Sequence, residues 1–86
     1  MSPTEEKLIQ ILTKGLRLQI LPDKPVTPET PIFGKLGLGL DSVDVLEIAV
    51  LLDKNFGIVL EEQNPEVRQA LTTIATLAAY IDRHHA

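Results

Sequence analysis

The sequence has no cysteine and only three aromatic residues, Phe33, Phe56 and Tyr80. The absence of cysteine excludes a disulfide framework, a thiolate nucleophile and a cysteine-based zinc site, and it is consistent with a cytoplasmic protein. Because 44% of the residues are apolar and only 3% are aromatic, the core must consist mainly of Leu, Ile, Val and Ala. This composition favours packed helices over a β-sandwich.

The sequence also lacks a long hydrophobic run. Its longest unbroken apolar stretch, Ile48–Leu52, is far shorter than the roughly 20 residues that span a bilayer. The first ten residues carry Glu5 and Glu6 instead of a basic region before an apolar stretch, so no export signal is predicted. We therefore expect a cytoplasmic protein without membrane insertion, and its 86 residues predict a single domain over residues 1–86.

The acidic residues are unevenly distributed along a chain of net charge −4. Residues 41–66 contain seven acids and one base, Lys54. Such an acidic half disfavours nucleic acid and favours a basic protein partner, mainly through electrostatic steering. The alternative is a solvated face that keeps the protein soluble.

Capping signals predict where the first helix begins. Ser2-Pro3-Thr4-Glu5 combines a serine N-cap, a proline at the first helical position and a glutamate that closes a capping box. One apolar stripe then extends the helix to an end between Leu16 and Leu21. The stripe consists of Leu8, Ile11, Leu12 and Leu16.

A long loop is predicted from Pro22 to Leu40, because this stretch contains four prolines and three glycines. Loops of this length in a compact domain are usually functional or disordered. Apolar residues argue against disorder, since they can anchor the loop across the helices. These residues are Ile32, Phe33, Leu36 and Leu38.

The second helix is predicted from Asp41 to Phe56, with Gly57 as its C-cap. Its core stripe is Val45, Ile48, Ala49, Leu52 and Phe56. Its other face mixes apolar and charged residues, namely Val43, Asp44, Glu47, Val50, Leu51 and Lys54. A purely solvated face would not need the apolar members of this set.

Two further helices complete an all-α bundle of three main helices and a short third one. Asn64-Pro65-Glu66 begins the short helix, which ends near Ala70 or Leu71. Thr72 or Thr73 then caps a fourth helix. The apolar stripe of that helix is Ile74, Leu77, Ala78 and Ile81.

Enzymatic chemistry finds little support in the sequence. A serine nucleophile needs a nearby base, but the only histidines, His84 and His85, lie at the C-terminal end and are expected to be solvated. The acids Asp41, Asp44 and Glu47 lack the spacing of an EF-hand, so no metal site is predicted. The glycine-rich loop is not preceded by a strand or followed by Gly-Lys-Ser/Thr, which excludes a nucleotide phosphate loop.

Ser42 admits two interpretations. Both Asp41 and Ser42 are of residue types favoured at a helix N-cap, so Ser42 can simply cap the second helix. Alternatively, a long anchored loop presents an exposed serine, with an acidic and apolar face behind it, to a modifying enzyme. A phosphate ester there would be compatible with the free N–H groups of the helix N-terminus.

The stretch Leu38-Gly39-Leu40-Asp41-Ser42-Val43-Asp44, followed by Glu47, resembles the attachment motif of acyl carrier proteins. The resemblance continues in Phe56-Gly57-Ile58, and in Thr73-Ile74 with Leu77 and Tyr80-Ile81, and covers most of the chain. It implies an acyl-carrier-like four-helix bundle that is a carrier and not an enzyme.

The resemblance also implies a cofactor. Ser42 would receive 4′-phosphopantetheine from coenzyme A through a Mg²⁺-dependent phosphopantetheinyl transferase, with Asp41 as part of the same cofactor-binding motif. The thiol of the arm would hold acyl intermediates as thioesters for enzymes of fatty acid, polyketide or specialised lipid biosynthesis. The missing cysteine is then no obstacle, because the cofactor supplies the reactive sulfur.

By the same resemblance, a monomer would meet loading and processing enzymes that carry basic docking patches. The partner-binding residues would be Val43, Asp44, Glu47, Val50, Leu51 and Lys54. The acyl chain would lie between helices two and three against Val45, Ile48, Leu52 and Val67. Lys54 stands where the family commonly has an acid, and Leu51 adds apolar area to the exposed face; both differences point away from housekeeping fatty-acid synthase partners. The lead-in Phe33-Gly34, followed by Gly37-Leu38-Gly39-Leu40, is similar to carriers in specialised lipid or polyketide pathways.

Three alternatives remain open at this level. A peptidyl carrier domain shares the bundle and the modified serine, although the acids after Asp-Ser favour the acyl type. A helical adaptor would bind proteins without being modified. A stand-alone hydrolase would require Ser42 itself to act as a nucleophile.

Overall fold

The computed structural model describes residues 2–18, 26–34, 37–61 and 63–84. Its elements are α1 (Pro3–Gly15), a 3₁₀ turn (Ser42–Asp44), α2 (Val45–Phe56), α3 (Pro65–Ala70) and α4 (Ile74–His84). Within those ranges the only β-type pairing is two isolated bridges, so the all-α prediction is confirmed. No helix in the described part of the chain has the length and apolar character needed to span a membrane.

The capping box at the start of α1 is present as predicted. The Glu5 N–H donates to Ser2 Oγ over 3.1 Å, and the Ser2 N–H donates to Glu5 Oε1 over 2.8 Å. The helix ends at Gly15, slightly before the predicted range of Leu16 to Leu21. Arg17 adopts a positive φ of 54°, which a right-handed helix does not allow, and residues 19–21 lie outside the described residues.

The start of the second helix differs from the prediction. The chain first forms the 3₁₀ turn, and the α-helix begins only at Val45. The predicted C-cap is confirmed, since Gly57 takes the left-handed φ of 68° and its N–H donates to the Asp53 carbonyl over 3.0 Å. The core stripe is also correct: Ala49 is half-buried and the other members are buried.

The predicted caps of the last two helices are confirmed. Asn64 Oδ1 accepts from the Glu66 N–H over 2.9 Å at the start of α3. At the start of α4, Thr73 Oγ1 accepts from the Thr76 N–H over 3.2 Å, and the Thr73 N–H donates to Thr76 Oγ1 over 2.8 Å. Both helices therefore begin where local sequence chemistry places them.

The core lies where α4 packs against α1 and α3, and α1 packs in turn against α2. Its most deeply buried side chains come from all four helices and the loop, and their removal from water is the main stabilising term. They are Leu8, Leu12, Ile32, Ile48, Leu52, Val67, Ile74, Leu77 and Ile81.

The described part of the long loop is anchored to the N-terminus of α4. The first N–H groups of a helix have no intrahelical acceptor. Here the Ile74 N–H donates to the Thr30 carbonyl over 3.2 Å, and the Ala75 N–H donates to the Pro28 carbonyl over 2.7 Å. In the other direction, the Ile32 N–H donates to the Thr72 carbonyl over 3.1 Å.

Side chains reinforce this attachment. Ile32 is completely buried, and Phe33 and Leu38 are half-buried against the core, so three of the four predicted anchors are confirmed. The fourth, Leu36, lies outside the described residues.

At the C-terminal end of α4, His84 is exposed, as expected, but it also makes contacts with Glu66 and Tyr80. His84 Nε2 lies 2.9 Å from Glu66 Oε1, and its ring centroid lies 4.3 Å from that of Tyr80. The hydrogen bond from His84, together with the nearby charges of His84 and Arg83, lowers the pKa of the Glu66 carboxyl. Glu66 thus links the start of α3 to the end of α4, while His85 lies outside the described residues.

The loop also contains a glycine that no other residue can replace without rearrangement. A Cβ on Gly37 would overlap the carbonyl group of Pro31. That carbonyl accepts the Leu38 N–H over 3.0 Å, so the close approach belongs to a backbone turn.

We expect Gly37→Ala to lower the free energy of unfolding by about 1–3 kcal/mol, because the new methyl group meets backbone that cannot rotate away. Chemical denaturation measures this change. The control is Gly15→Ala, whose Cβ would lie 2.6 Å from Leu51 Cδ1, the movable end of a side chain. This substitution also gains helix propensity, so we expect a change within about 1 kcal/mol. Equal losses in the two variants would contradict the steric argument.

Candidate functional site

The end of the loop determines where Ser42 lies. Gly39 adopts a φ of 75°, and its N–H donates to the Gly34 carbonyl over 3.0 Å. The Gly34 N–H in turn donates to the Leu40 carbonyl over 3.2 Å, which closes the loop on itself. Leu40 is buried in the core, so the next two residues, Asp41 and Ser42, emerge at the surface from a fixed position.

Asp41, and not Ser42, caps the turn that follows. Asp41 Oδ1 accepts from the Val43 N–H over 3.0 Å, and the Asp41 N–H donates to Asp44 Oδ2 over 2.9 Å. The Ser42 side chain is exposed, and its hydroxyl makes no hydrogen bond within the described residues. The interpretation of Ser42 as a helix cap is therefore wrong, and its hydroxyl is left accessible for chemistry.

A cleft of about 350 Å³ opens beside Ser42, between the 3₁₀ turn and α3. Its polar residues are Asp41, Ser42 and Arg68. Its apolar wall is formed by Phe33, Val45, Val67 and Leu71. A modified Ser42 would thus stand next to an apolar surface with one cationic side chain.

The cleft includes part of the predicted acyl pocket. Val45 and Val67 line it, as expected, whereas Ile48 and Leu52 are completely buried in the core and do not. Their contact with an acyl chain stays a prediction that requires the helices to part.

Sequence reasoning missed three residues of the cleft. Leu71 follows Val67 by four positions, a helical spacing that could have revealed it. Arg68 is adjacent to Val67, but no local pattern brings it to the side of Ser42. Phe33 comes from the loop, where no periodicity exists to indicate its direction.

The 3₁₀ turn and the outer side of α2 together present an apolar ridge, formed by Val43, Leu46 and Val50. Their side chains are 74%, 66% and 59% exposed. Leu46 is missing from the predicted partner-binding set, although its spacing from Val43 and Val50 matches one helical face. Exposed apolar residues in one row, unlike scattered ones, indicate a binding surface.

Acidic and basic side chains border the ridge. Glu47 and Lys54 are exposed, as predicted for docking residues. Asp44 is half-buried, and one of its carboxylate oxygens already accepts the Asp41 N–H. No group of acidic or histidine side chains among the described residues is arranged to hold a metal ion.

Leu51 is not the exposed residue that the sequence suggests. It is half-buried and packs over Gly15, where the absence of a Cβ leaves room for its methyl groups. It still lines a groove of about 290 Å³ beside the ridge, together with Gly15, Leu46, Glu47 and Val50.

We expect Asp41→Ala to lower the free energy of unfolding by about 0.5–2 kcal/mol, because it removes the cap of the turn. Ser42→Ala should change it by less than about 0.5 kcal/mol, since the hydroxyl has no partner to lose. Thermal and chemical denaturation of the unmodified proteins measure both values. A Ser42→Ala loss as large as that of Asp41→Ala would restore the capping interpretation.

Comparison with known proteins supports the resemblance. The family described as "Phosphopantetheine attachment site" matches residues 6–81. An acyl carrier protein of Zymomonas mobilis subsp. mobilis is 29% identical over 86 residues, which cover the whole of both chains. Acyl carrier protein 2, chloroplastic, of Spinacia oleracea is 38% identical over 66 residues, which are 77% of this chain and 46% of the spinach protein. These matches confirm the predicted carrier family and its cofactor, 4′-phosphopantetheine, so the chain belongs to the phosphopantetheine attachment family.

Proposed function

We propose that this protein is an acyl carrier protein in which the Ser42 hydroxyl is the attachment point of 4′-phosphopantetheine. The family and the acyl carrier relatives support a carrier, which is not an enzyme. The observation that carries the assignment to Ser42 is the cap made by Asp41, which leaves an exposed, unbonded hydroxyl at the edge of the cleft. The peptidyl carrier, adaptor and hydrolase alternatives have no comparable support.

The residues around Ser42 fit the cofactor. The arm supplies the thiol that a chain without cysteine cannot provide. Attachment replaces the Oγ–H bond of Ser42 with an Oγ–P bond, and the nucleotide part of coenzyme A leaves. Because no described side chain hydrogen-bonds the Ser42 hydroxyl, we assign the base that removes its proton to the phosphopantetheinyl transferase.

The cleft between the 3₁₀ turn and α3 is the proposed shelter for the acyl chain. Val45, Val67 and Leu71 present aliphatic side chains to it, and Phe33 closes its loop side. Burying a methylene group against such a wall is favourable by about 0.8 kcal/mol. The wall therefore favours an aliphatic acyl group over a polar one.

We expect wild-type protein to gain the mass of one phosphopantetheine when incubated with coenzyme A, Mg²⁺ and a phosphopantetheinyl transferase of broad specificity. Ser42→Ala should gain none, because it lacks the nucleophilic oxygen. Intact-mass spectrometry measures both. Ser2→Ala is the control, since it makes the same substitution at the start of α1 and leaves Ser42 unchanged. Modification of Ser42→Ala, or a folded wild type that gains no mass, would reject the assignment.

As a carrier, the protein interacts with acyl-processing enzymes, and we propose that they dock on the apolar ridge. The ridge supplies apolar area, while Glu47 beside it supplies an exposed negative charge. A partner with a basic patch would be steered by the charge and retained by the apolar contact.

We expect Glu47→Lys to slow transfer by the phosphopantetheinyl transferase by about tenfold at low salt, and the difference should shrink at high salt. Leu46→Ala should reduce transfer by an amount that depends little on salt, because it removes apolar contact. Initial rates at low and high ionic strength measure both effects. The matched control is Glu6→Lys, the same charge change at an exposed position in the first turn of α1. Equal effects of the two lysine variants would exclude α2 as the docking face.

Several properties of the protein are predicted from the sequence and are part of this proposal. The monomeric state, the cytoplasmic location, the single domain over residues 1–86 and the specialised pathway rest on composition and on the resemblance. The roles of Val43, Val50, Leu51 and Lys54 in docking are likewise proposals.

A further inference from the structure

We infer that Arg68 is a positioning residue that binds the phosphodiester joining the arm to Ser42. The inference rests on the proposed attachment at Ser42. Its basis is the cleft itself, which is lined by both Arg68 of α3 and Ser42 of the 3₁₀ turn. The two residues are far apart in sequence and belong to different elements.

The turn that carries Ser42 is acidic, so a nearby cation would stabilise a phosphodiester on this residue. Ser42 lies in the same turn as Asp41 and Asp44, whose carboxylates accept from the N–H groups of Val43 and Asp41. A phosphodiester on Ser42 adds a further negative charge to this acidic turn. Among the described residues that line the cleft, Arg68 carries the positive charge.

The chemistry of arginine suits this partner. A guanidinium group presents planar donors that match two phosphate oxygens at once. Arg83, at the end of α4, pairs with Glu66 over 3.2 Å. Arg83 therefore offers a comparison residue of the same type outside the cleft.

The backbone that carries Arg68 is held in place. Asn64 caps α3, and the buried side chains of Val67 and Ala70 fix its orientation against the core. The Arg68 side chain itself is exposed. An exposed guanidinium on a fixed backbone can bind an anion without disturbing the core.

Binding of the phosphodiester by Arg68 would set the direction in which the arm leaves Ser42. The arm would extend towards α3, along Val67 and Leu71. The apolar ridge on α2 then stays uncovered for a docking enzyme. The carrier can thus shelter its cargo and present its docking surface at the same time.

We expect the ³¹P resonance of the modified protein to shift in Arg68→Gln relative to wild type. It should stay unchanged in Arg83→Gln, which makes the same substitution on α4. High salt should move the wild-type resonance towards that of Arg68→Gln, because salt screens an exposed ion pair. Circular dichroism checks folding, and Arg68→Lys keeps the charge if glutamine is not tolerated. Identical ³¹P positions in all modified proteins would overturn the inference.

A second measurement needs no variant at position 68. In wild type, the Arg68 Nε–Hε signal should move on attachment of the unacylated arm, as followed by ¹⁵N NMR. A signal that moves only after loading an acyl group that ends in a carboxylate would assign Arg68 to the cargo and overturn the proposal. Mass spectrometry separates the two failures: absence of attachment rejects the proposed function, whereas attachment without these shifts rejects only the role of Arg68.

Discussion

The hydrogen bond from the Val43 N–H to the Asp41 carboxylate decides what Ser42 can do. A helix start needs an acceptor for its unpaired N–H groups, and serine is one of the residues that most often provides it. Here the Asp41 carboxylate is that acceptor, and the Asp44 carboxylate in turn accepts from the Asp41 N–H. The structural role of the cap thus belongs to Asp41, while the adjacent Ser42 hydroxyl makes no hydrogen bond to any residue that the structure describes.

The two sides of α2 also differ in their surroundings. One side places Ile48 and Leu52 in the core, while the other exposes Val43, Leu46 and Val50 to water. Apolar side chains that stay mostly exposed gain little from folding, and an aligned row of them next to Glu47 has the character of the proposed docking surface. A short helix can combine both features because its buried and exposed apolar stripes do not overlap.

Much of the fold follows from local chemistry, whereas much of the site does not. The caps at Ser2, Asn64 and Thr73 are fixed by residues within one turn of each helix start, so the sequence predicts them correctly. The 3₁₀ turn was not predicted, because Asp41 and Asp44 bond within three residues instead of continuing an α-helix. Phe33 and Arg68 enter the cleft through tertiary packing, which leaves no periodic signal in the sequence.

The two sides of the cleft are held in different ways. On the side of Ser42, the carbonyls of Pro28 and Thr30 accept N–H groups from the first turn of α4, so the loop and that helix end share one backbone hydrogen-bond network. The opposite side belongs to α3, a six-residue helix that is too short to be stable without the packing of Val67 and Ala70 against the core. The loss of a buried contact would therefore affect the α3 side first, because the position of the loop also depends on backbone hydrogen bonds.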